Sequence, residues 1–267
     1  MTTEHRGSVY LAAGSFLDVS ADELADIALA TEGCDGIGLR LSGEHAIAAT
    51  AAARHIRSRL ADGGRRVFDA EVVRVSADFV AESATPLITR AVEVGAAYVL
   101  AVSDLDGSDP NLSLRAFESL ARIARGHGLD LAVEYMAWTT PSDVDGALRV
   151  HSETGCRIVV DLLHHTRIGA TVHDLERLMR ADAVAWVQIC DAPREREADS
   201  LLAEARHGRQ IPGEGALPLR DLLAVVPSHV DISVEVQSDR LLGVDPRERA
   251  RRLVDATRAL LGRADRA

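Results

Sequence analysis

Short aliphatic, β-branched runs recur through the chain, and almost every one is followed by a longer Ala-, Leu- and Arg-rich segment of helical period. The runs span residues 9–13, 36–40, 66–73, 98–102, 131–135, 157–162, 185–189 and 232–236, with apolar residues on both faces, as strands covered on both sides require. Parallel neighbours cannot be joined by tight turns and need crossovers of a dozen or more residues, usually a helix. Eight such βα units are what closes a barrel, and 267 residues matches the roughly 250 of one. The pattern therefore predicts one domain over residues 1–267, an α/β fold of the single (β/α)8 TIM barrel type.

Helix starts agree with that count. Ser20 with Glu23, Thr171 with Asp174, and Asp245-Pro246 with Glu248 resemble capping boxes, while Thr85-Pro86 and Asp109-Pro110 pair a cap with proline at the first helical position. Helices are predicted near 20–32, 44–61, 85–95, 110–127, 142–153, 171–181, 216–225 and 246–262. Gly63-Gly64 and Gly126-His127-Gly128 read as helix stops. The charged end from Arg247 to Arg266 reads as a solvated final helix with i,i+4 ion pairs.

Composition narrows the class. Hydrophobic residues make up 47% and aromatic residues 3%, so the core is expected to be Ala, Val, Leu and Ile. A net charge of −11 argues against nucleic-acid binding. Cys34, Cys156 and Cys190 are odd in number and form no CxxC pair, which points to reduced core thiols in a cytosolic protein. The first thirty residues carry no basic stretch with an apolar core behind it, and no run reaches about 18 apolar residues. The expectation is a cytoplasmic protein without a membrane partner.

Four of the runs end in a polar residue of metal-ligand type: Glu134, Asp161, Gln188 and Glu235. The first two intervals are 27 residues each, one βα unit, and the last is 47. The longer interval contains the charged excursion 194–215, read as an active-site loop. In a βα barrel the carboxyl ends of all strands open on one mouth, so the four side chains converge there. Three carboxyl groups buried together are costly unless a cation or hydrogen bonds compensate them. Oxygen donors suit a hard divalent ion, Mn²⁺ or Mg²⁺, with Co²⁺ as a replacement, better than zinc.

These residues resemble the xylose isomerase-like barrels, which include sugar epimerases and isomerases, inosose dehydratases and 3-dehydroshikimate dehydratases. The resemblance covers essentially the whole chain. It rests on Glu134, on Asp161-Leu162-Leu163-His164 as a DxxH motif, on Gln188 where many members carry His, on Glu235, and on the stretch through Asp191-Ala192-Pro193 to Arg209 and Pro212-Gly213-Glu214-Gly215. It implies that Glu134, Asp161, Gln188 and Glu235 bind the metal, with Gln188 lowering affinity or shifting metal preference. It implies Glu134 and Glu235 as catalytic base and acid on opposite sides of a small-molecule substrate. The implied reaction is proton abstraction beside the carbonyl of a sugar or polyol-type ketone through a metal-stabilised enediolate, giving isomerisation or epimerisation. Loss of a β-hydroxyl instead gives dehydration of a cyclic polyhydroxy ketone or related glycoside. Homodimers or homotetramers are implied as well.

His164 is then expected to bind a substrate hydroxyl or donate a proton; alternatively, His164 or His165 hydrogen-bonds to Asp161 and orients it. Arg40, ending the second strand, either binds substrate or pairs with a barrel carboxylate. Arg194 and Arg209 flank the long excursion, and one of them is expected to reach the substrate. Trp138 and Tyr135 could wall a sugar ring or pack in the rim.

Other readings fit less well. Cys190 as a nucleophile is disfavoured because strand alternation points it away from Asp191 into the core. The run Gly33–Gly38 lacks the GxGxxG spacing of dinucleotide sites, and Glu214 would repel a phosphate at Gly213-Gly215. The resemblance also touches endonuclease IV, but the acidic charge and a missing His-rich metal set count against that activity. A non-catalytic carbohydrate-binding barrel would not need three convergent carboxylates.

Overall fold

A computed structural model describes residues 7–47, 49–103 and 109–264. Each predicted run forms a strand: β1 (Val9–Leu11), β2 (Gly36–Arg40), β3 (Arg66–Val75), β4 (Tyr98–Ser103), β5 (Asp130–Glu134), β6 (Arg157–Asp161), β7 (Val184–Ile189) and β8 (Asp231–Val234). All neighbours are parallel and follow sequence order, and β8 pairs back onto β1, so the eight strands close into a barrel.

The helices are α1 (Ala21–Ala30), α2 (Thr50–Asp62), α3 (Thr85–Val94), α4 (Pro110–Gly126), α5 (Val144–Thr154), α6 (Leu162–Arg167), α7 (Val172–Arg180), α8 (Leu201–His207), α9 (Leu219–Leu223) and α10 (Pro246–Ala264). Local chemistry sets their ends. Ser20 Oγ accepts from Glu23 N at 3.2 Å, Thr171 and Asp174 complete a capping box, and Asp245 Oδ1 accepts from the amides of Arg247 and Glu248. Thr85 departs from the expected cap: a 3-10 turn over Ala81–Ala84 leads straight into α3, so Thr85 is already helical. The helix expected from residue 44 begins only at Thr50, after a 3-10 turn at Gly43–His45.

Two short helices, α6 and α8, have no counterpart in the periodicity. α6 starts where β6 stops because Asp161 caps it, Oδ1 accepting from Leu163 N at 2.7 Å and His164 N at 3.2 Å. α8 lies inside the 194–215 excursion, capped by Ser200 Oγ at 3.0 Å from Ala203 N.

The shell between barrel and helices is aliphatic as expected, but the barrel interior is not. Its N-terminal half holds Tyr10, Phe68, Tyr98 and Trp186, with Tyr10 and Phe68 stacked at 4.1 Å and Trp186 edge-on to Phe68 at 5.2 Å. Large rings fill this space with few residues, which is why so few aromatics suffice. α10 also departs from a purely solvated helix. Arg249 is 2% exposed, binds Asp18 at 2.7 Å and lies over the Phe16 ring. Residues beyond 264, Arg266 among them, lie outside the described residues. Among the described residues no helix is long and apolar enough to cross a membrane.

Candidate active site

Strand register dictates which polar side chains meet. Glu134 pairs with Val159, two residues before Asp161; Asp161 pairs with Gln188; Gln188 pairs with Ser233, two residues before Glu235. Paired residues, and residues two apart on a strand, share a face. Glu134, Asp161, Gln188 and Glu235 therefore all point into the barrel, above the aromatic layer. They are buried, at 7%, 1%, 3% and 5% exposure.

Arg209 is embedded among them. It is 3% exposed, with Nη1 at 2.5 Å from Asp161 Oδ2, Nη2 at 3.3 Å from Glu235 Oε2, and Nε donating to the Ala205 carbonyl. One guanidinium does not balance the acids. Burial raises the Asp161 pKa, but Arg209 and His164 outweigh it and hold this carboxyl below its ordinary range. Burial, with Glu235 and Asp161 nearby, pushes Glu134 well above the usual carboxylate range. Burial lifts Glu235 to about 7, with Glu71 and Asp161 adding to the effect and Arg209 opposing it. The floor thus holds more carboxyl groups than its own cations keep ionised, and a further positive charge would favour their ionised forms.

Two more features point the same way. Gln188 Oε1 is buried, an acceptor beside Asp161 with no hydrogen-bond partner among the described residues. One oxygen each from Glu134 and Asp161 and one ring nitrogen of His164 lie within 4.8 Å of one another, a grouping able to hold a metal ion. Burial depresses the His164 pKa to about 4, so its imidazole is neutral at ordinary pH.

Above this floor lies a cleft lined by Arg40, Glu134, His164, Arg209 and Glu235 among others. Arg40 reaches it while Nη2 contacts Glu71 Oε2 at 3.0 Å, so it both faces the mouth and pairs with a barrel carboxylate. Arg194 is exposed and is not among the cleft-lining residues; of the two arginines flanking the excursion, Arg209 is the one brought to the floor. The excursion contributes through α8, whereas its Pro212–Gly215 end folds around Asp191, which accepts from the amides of Gly213 and Leu217. Trp138 lines the cleft and meets His164 edge-on at 5.1 Å. Tyr135 faces away, its hydroxyl 2.7 Å from His165 Nδ1; His165 Nε2 lies 2.9 Å from the Thr171 carbonyl, so this ring does not orient Asp161. Cys190 lies just past β7, fully buried, its thiol raised far above the usual range by burial.

Asp69 and Glu71 on β3 have no place in the sequence reading. Both are buried, and burial, Glu71 and Glu235 push Asp69 well above the usual carboxylate range. Gly38 makes the room: a Cβ there would lie 2.5 Å from Asp69 Oδ1. Two acids spaced by two in an otherwise apolar run, hence on one face, were the available signal. Gly14 plays the same part for Glu235, whose Oε1 would be 2.2 Å from a Cβ at that position.

Comparison with known proteins places this geometry. No curated protein matches the chain significantly. Among solved structures, a xylose isomerase-like TIM barrel/4-hydroxyphenylpyruvate dioxygenase fusion protein superposes with a TM-score of 0.79 at 19% identity, over 94% of this chain and 42% of that one. The IolI protein with a bound zinc atom gives 0.78 at 14% identity, covering 96% of this chain and 98% of the other. A D-psicose 3-epimerase, solved in the presence of D-fructose, gives 0.70 at 13% identity, covering 96% and 99%. At such identities these likenesses concern the fold. The family model for xylose isomerase-like TIM barrels matches residues 27–260, and the chain belongs to that family.

Proposed function

We propose that this protein is a divalent-metal-dependent isomerase or epimerase that moves a proton beside the carbonyl of a sugar or polyol-type ketone. The observation that carries the reading is the convergence of Glu134, Asp161 and Glu235 with the unpartnered Oε1 of Gln188 on one buried floor. These donors fit a divalent ion: three carboxyl groups and an amide oxygen, more acid than Arg209 alone keeps ionised. Glu134, Asp161, Gln188 and Glu235 would hold it, and Mn²⁺ or Mg²⁺ suits oxygen donors. When bound, such an ion supplies positive charge against the negative charge that develops on a carbonyl oxygen during enolisation. The zinc in the related IolI structure and the activity of the related epimerase are consistent with this reading.

Glu134 and Glu235 are the proton-transfer groups. Both lie buried on the cleft wall and floor, and a bound divalent ion would keep them ionised until a proton is transferred. Arg209, seated between Asp161 and Glu235, favours the ionised form of Glu235 against burial. Arg40, whose buried Nε has no partner, offers a donor to a substrate oxygen. The apolar side of the cleft, with Val72, Leu100, Val102 and Trp138, also accommodates a sparsely hydroxylated ring, which favours dehydration of a cyclic ketone as the second reading.

The test is incubation of the Mn²⁺- or Mg²⁺-loaded protein with ketoses and cyclic polyhydroxy ketones in D₂O. Deuterium should enter the carbon beside the carbonyl, and Glu134→Gln and Glu235→Gln should each abolish its entry. Appearance of a conjugated enone would assign the lyase instead. Absence of exchange with every ketone tried would overturn the proposal.

A further inference from the structure

We propose that His164 is itself a ligand of the ion, giving the site a nitrogen donor through Nε2. The inference rests on the metal reading above and adds to it a donor that the strand ends do not supply.

Arg209 Nη2 lies 3.4 Å from His164 Nε2, and a guanidinium only donates, so at that contact Nε2 presents its lone pair rather than a proton. The same nitrogen lies 3.7 Å from Glu134 Oε1. An oxygen of Asp161 belongs to the same group, all within 4.8 Å. Among the described residues Arg209 alone answers that lone pair, at a long 3.4 Å, and oxygens of two carboxyl groups converge on the same nitrogen, an arrangement that a cation shared by all three would satisfy. Ligands at about 2.0–2.2 Å from one ion stand roughly 3–4 Å apart, a range that contains the Nε2 to Oε1 separation.

The imidazole is also held in place. Asp161 caps α6 through the His164 amide, so the ring is tied by a single turn to the carboxyl group with which it would share the ion. Trp138 meets the ring at an interplanar angle of 89° and fixes its plane. His164 is 4% exposed, so water does not compete freely for Nε2. Independently, the buried, unpartnered Oε1 of Gln188 stands beside Asp161 on the same inner face. Strand seven thus offers oxygen only, and His164 is the one histidine among the described residues lining the cleft. An imidazole in the set shifts preference from Mg²⁺ toward Mn²⁺, Co²⁺ or Zn²⁺.

Pulsed electron paramagnetic resonance on the Mn²⁺-loaded protein reads this without reference to activity. The wild-type spectrum should carry ¹⁴N modulation from a coordinated imidazole, and incorporation of ¹⁵N-labelled histidine should replace it with the ¹⁵N pattern. His164→Gln should abolish the signal and weaken Mn²⁺ binding by at least the roughly tenfold that loss of even an outer-shell partner costs. If that variant does not fold, the labelled wild-type spectrum decides alone. Stoichiometric Mn²⁺ that depends on Glu134 but shows no histidine nitrogen overturns this inference and leaves the metal reading standing. A protein that binds no Mn²⁺ overturns both.

Discussion

Replacing Arg209 with methionine tests the electrostatics of the cleft floor most directly. The side chain is 3% exposed and holds Asp161 at 2.5 Å and Glu235 at 3.3 Å. Methionine keeps the apolar stem and removes the cation, leaving two buried carboxyl groups without it. Breaking a buried pair in this way costs about 3–5 kcal/mol. In urea, a chain of this size should unfold with a slope of about 3 kcal/mol per M, so the midpoint should fall by roughly 1–1.7 M. The measurement is equilibrium unfolding followed by circular dichroism, with chelator present so that no ion replaces the lost charge.

The pH dependence has a definite sign. Arg209 holds the Asp161 pKa down, and that stability is present above the pKa of the unfolded carboxyl and lost as pH falls. Glu235 is raised to about 7, a destabilisation that grows as pH climbs from the unfolded value toward 7, and losing Arg209 would enlarge it. The Glu235 effect makes the gap between variant and wild type wider at pH 8 than at pH 5, while the Asp161 effect contributes to the gap at both. A midpoint shift below about 0.3 M, or a gap that widens on acidification, would refute the reasoning. Arg194→Ala serves as the control: this exposed residue should change stability by no more than about 0.5 kcal/mol.

Two further outcomes are expected. Gly215→Ala would place a Cβ 2.3 Å from Asp191 Oδ1 and 2.5 Å from the Ala192 carbonyl, forcing apart the turn that Asp191 organises. Such overpacking costs about 1–3 kcal/mol and should lower Tm by roughly 2–12 °C, whereas an unchanged Tm would show that the turn adapts freely. Cys34, Cys156 and Cys190 are all buried, and burial pushes Cys34 and Cys156 up to about 11. A thiol reagent at pH 8 should therefore label none of them in the folded protein and all of them in urea; rapid labelling of the native state would contradict their core placement. Because these thiols keep their protons up to about 11 while unfolded ones ionise from about 9, they reduce stability as pH rises through that window.

Much of this architecture was legible because the signals are local. Strand runs, caps such as Ser20 and Thr171, and the polar residues ending four runs all follow from spacing along the chain. The unexpected parts have particular causes. α6, at 6 residues, is too short to impose a helical period on the sequence, so nothing local separates His164 from His165, while Arg209 lies past the end of α8, where a long-range backbone bond to Gln237 places it and distinguishes it from Arg194. Adjacent helical residues point about 100° apart, and that rotation sends His164 into the cleft and His165 toward Tyr135. Asp69 and Glu71 were overlooked because their run reads as an apolar strand, and only closure of the barrel brings them near Glu235.

The sequence by itself determined the eight βα units, the inward face of each strand and the presence of acids at strand ends, because periodicity and capping act over a few residues. Only the tertiary structure decided which of those acids keeps its charge. That depends on distance and burial: Arg209, 48 residues from Asp161 along the chain, lies 2.5 Å from it in space and farther from Glu235, while Glu134 has no cation as close among the described residues. Coulomb energies and desolvation are set by those separations, which no local pattern encodes.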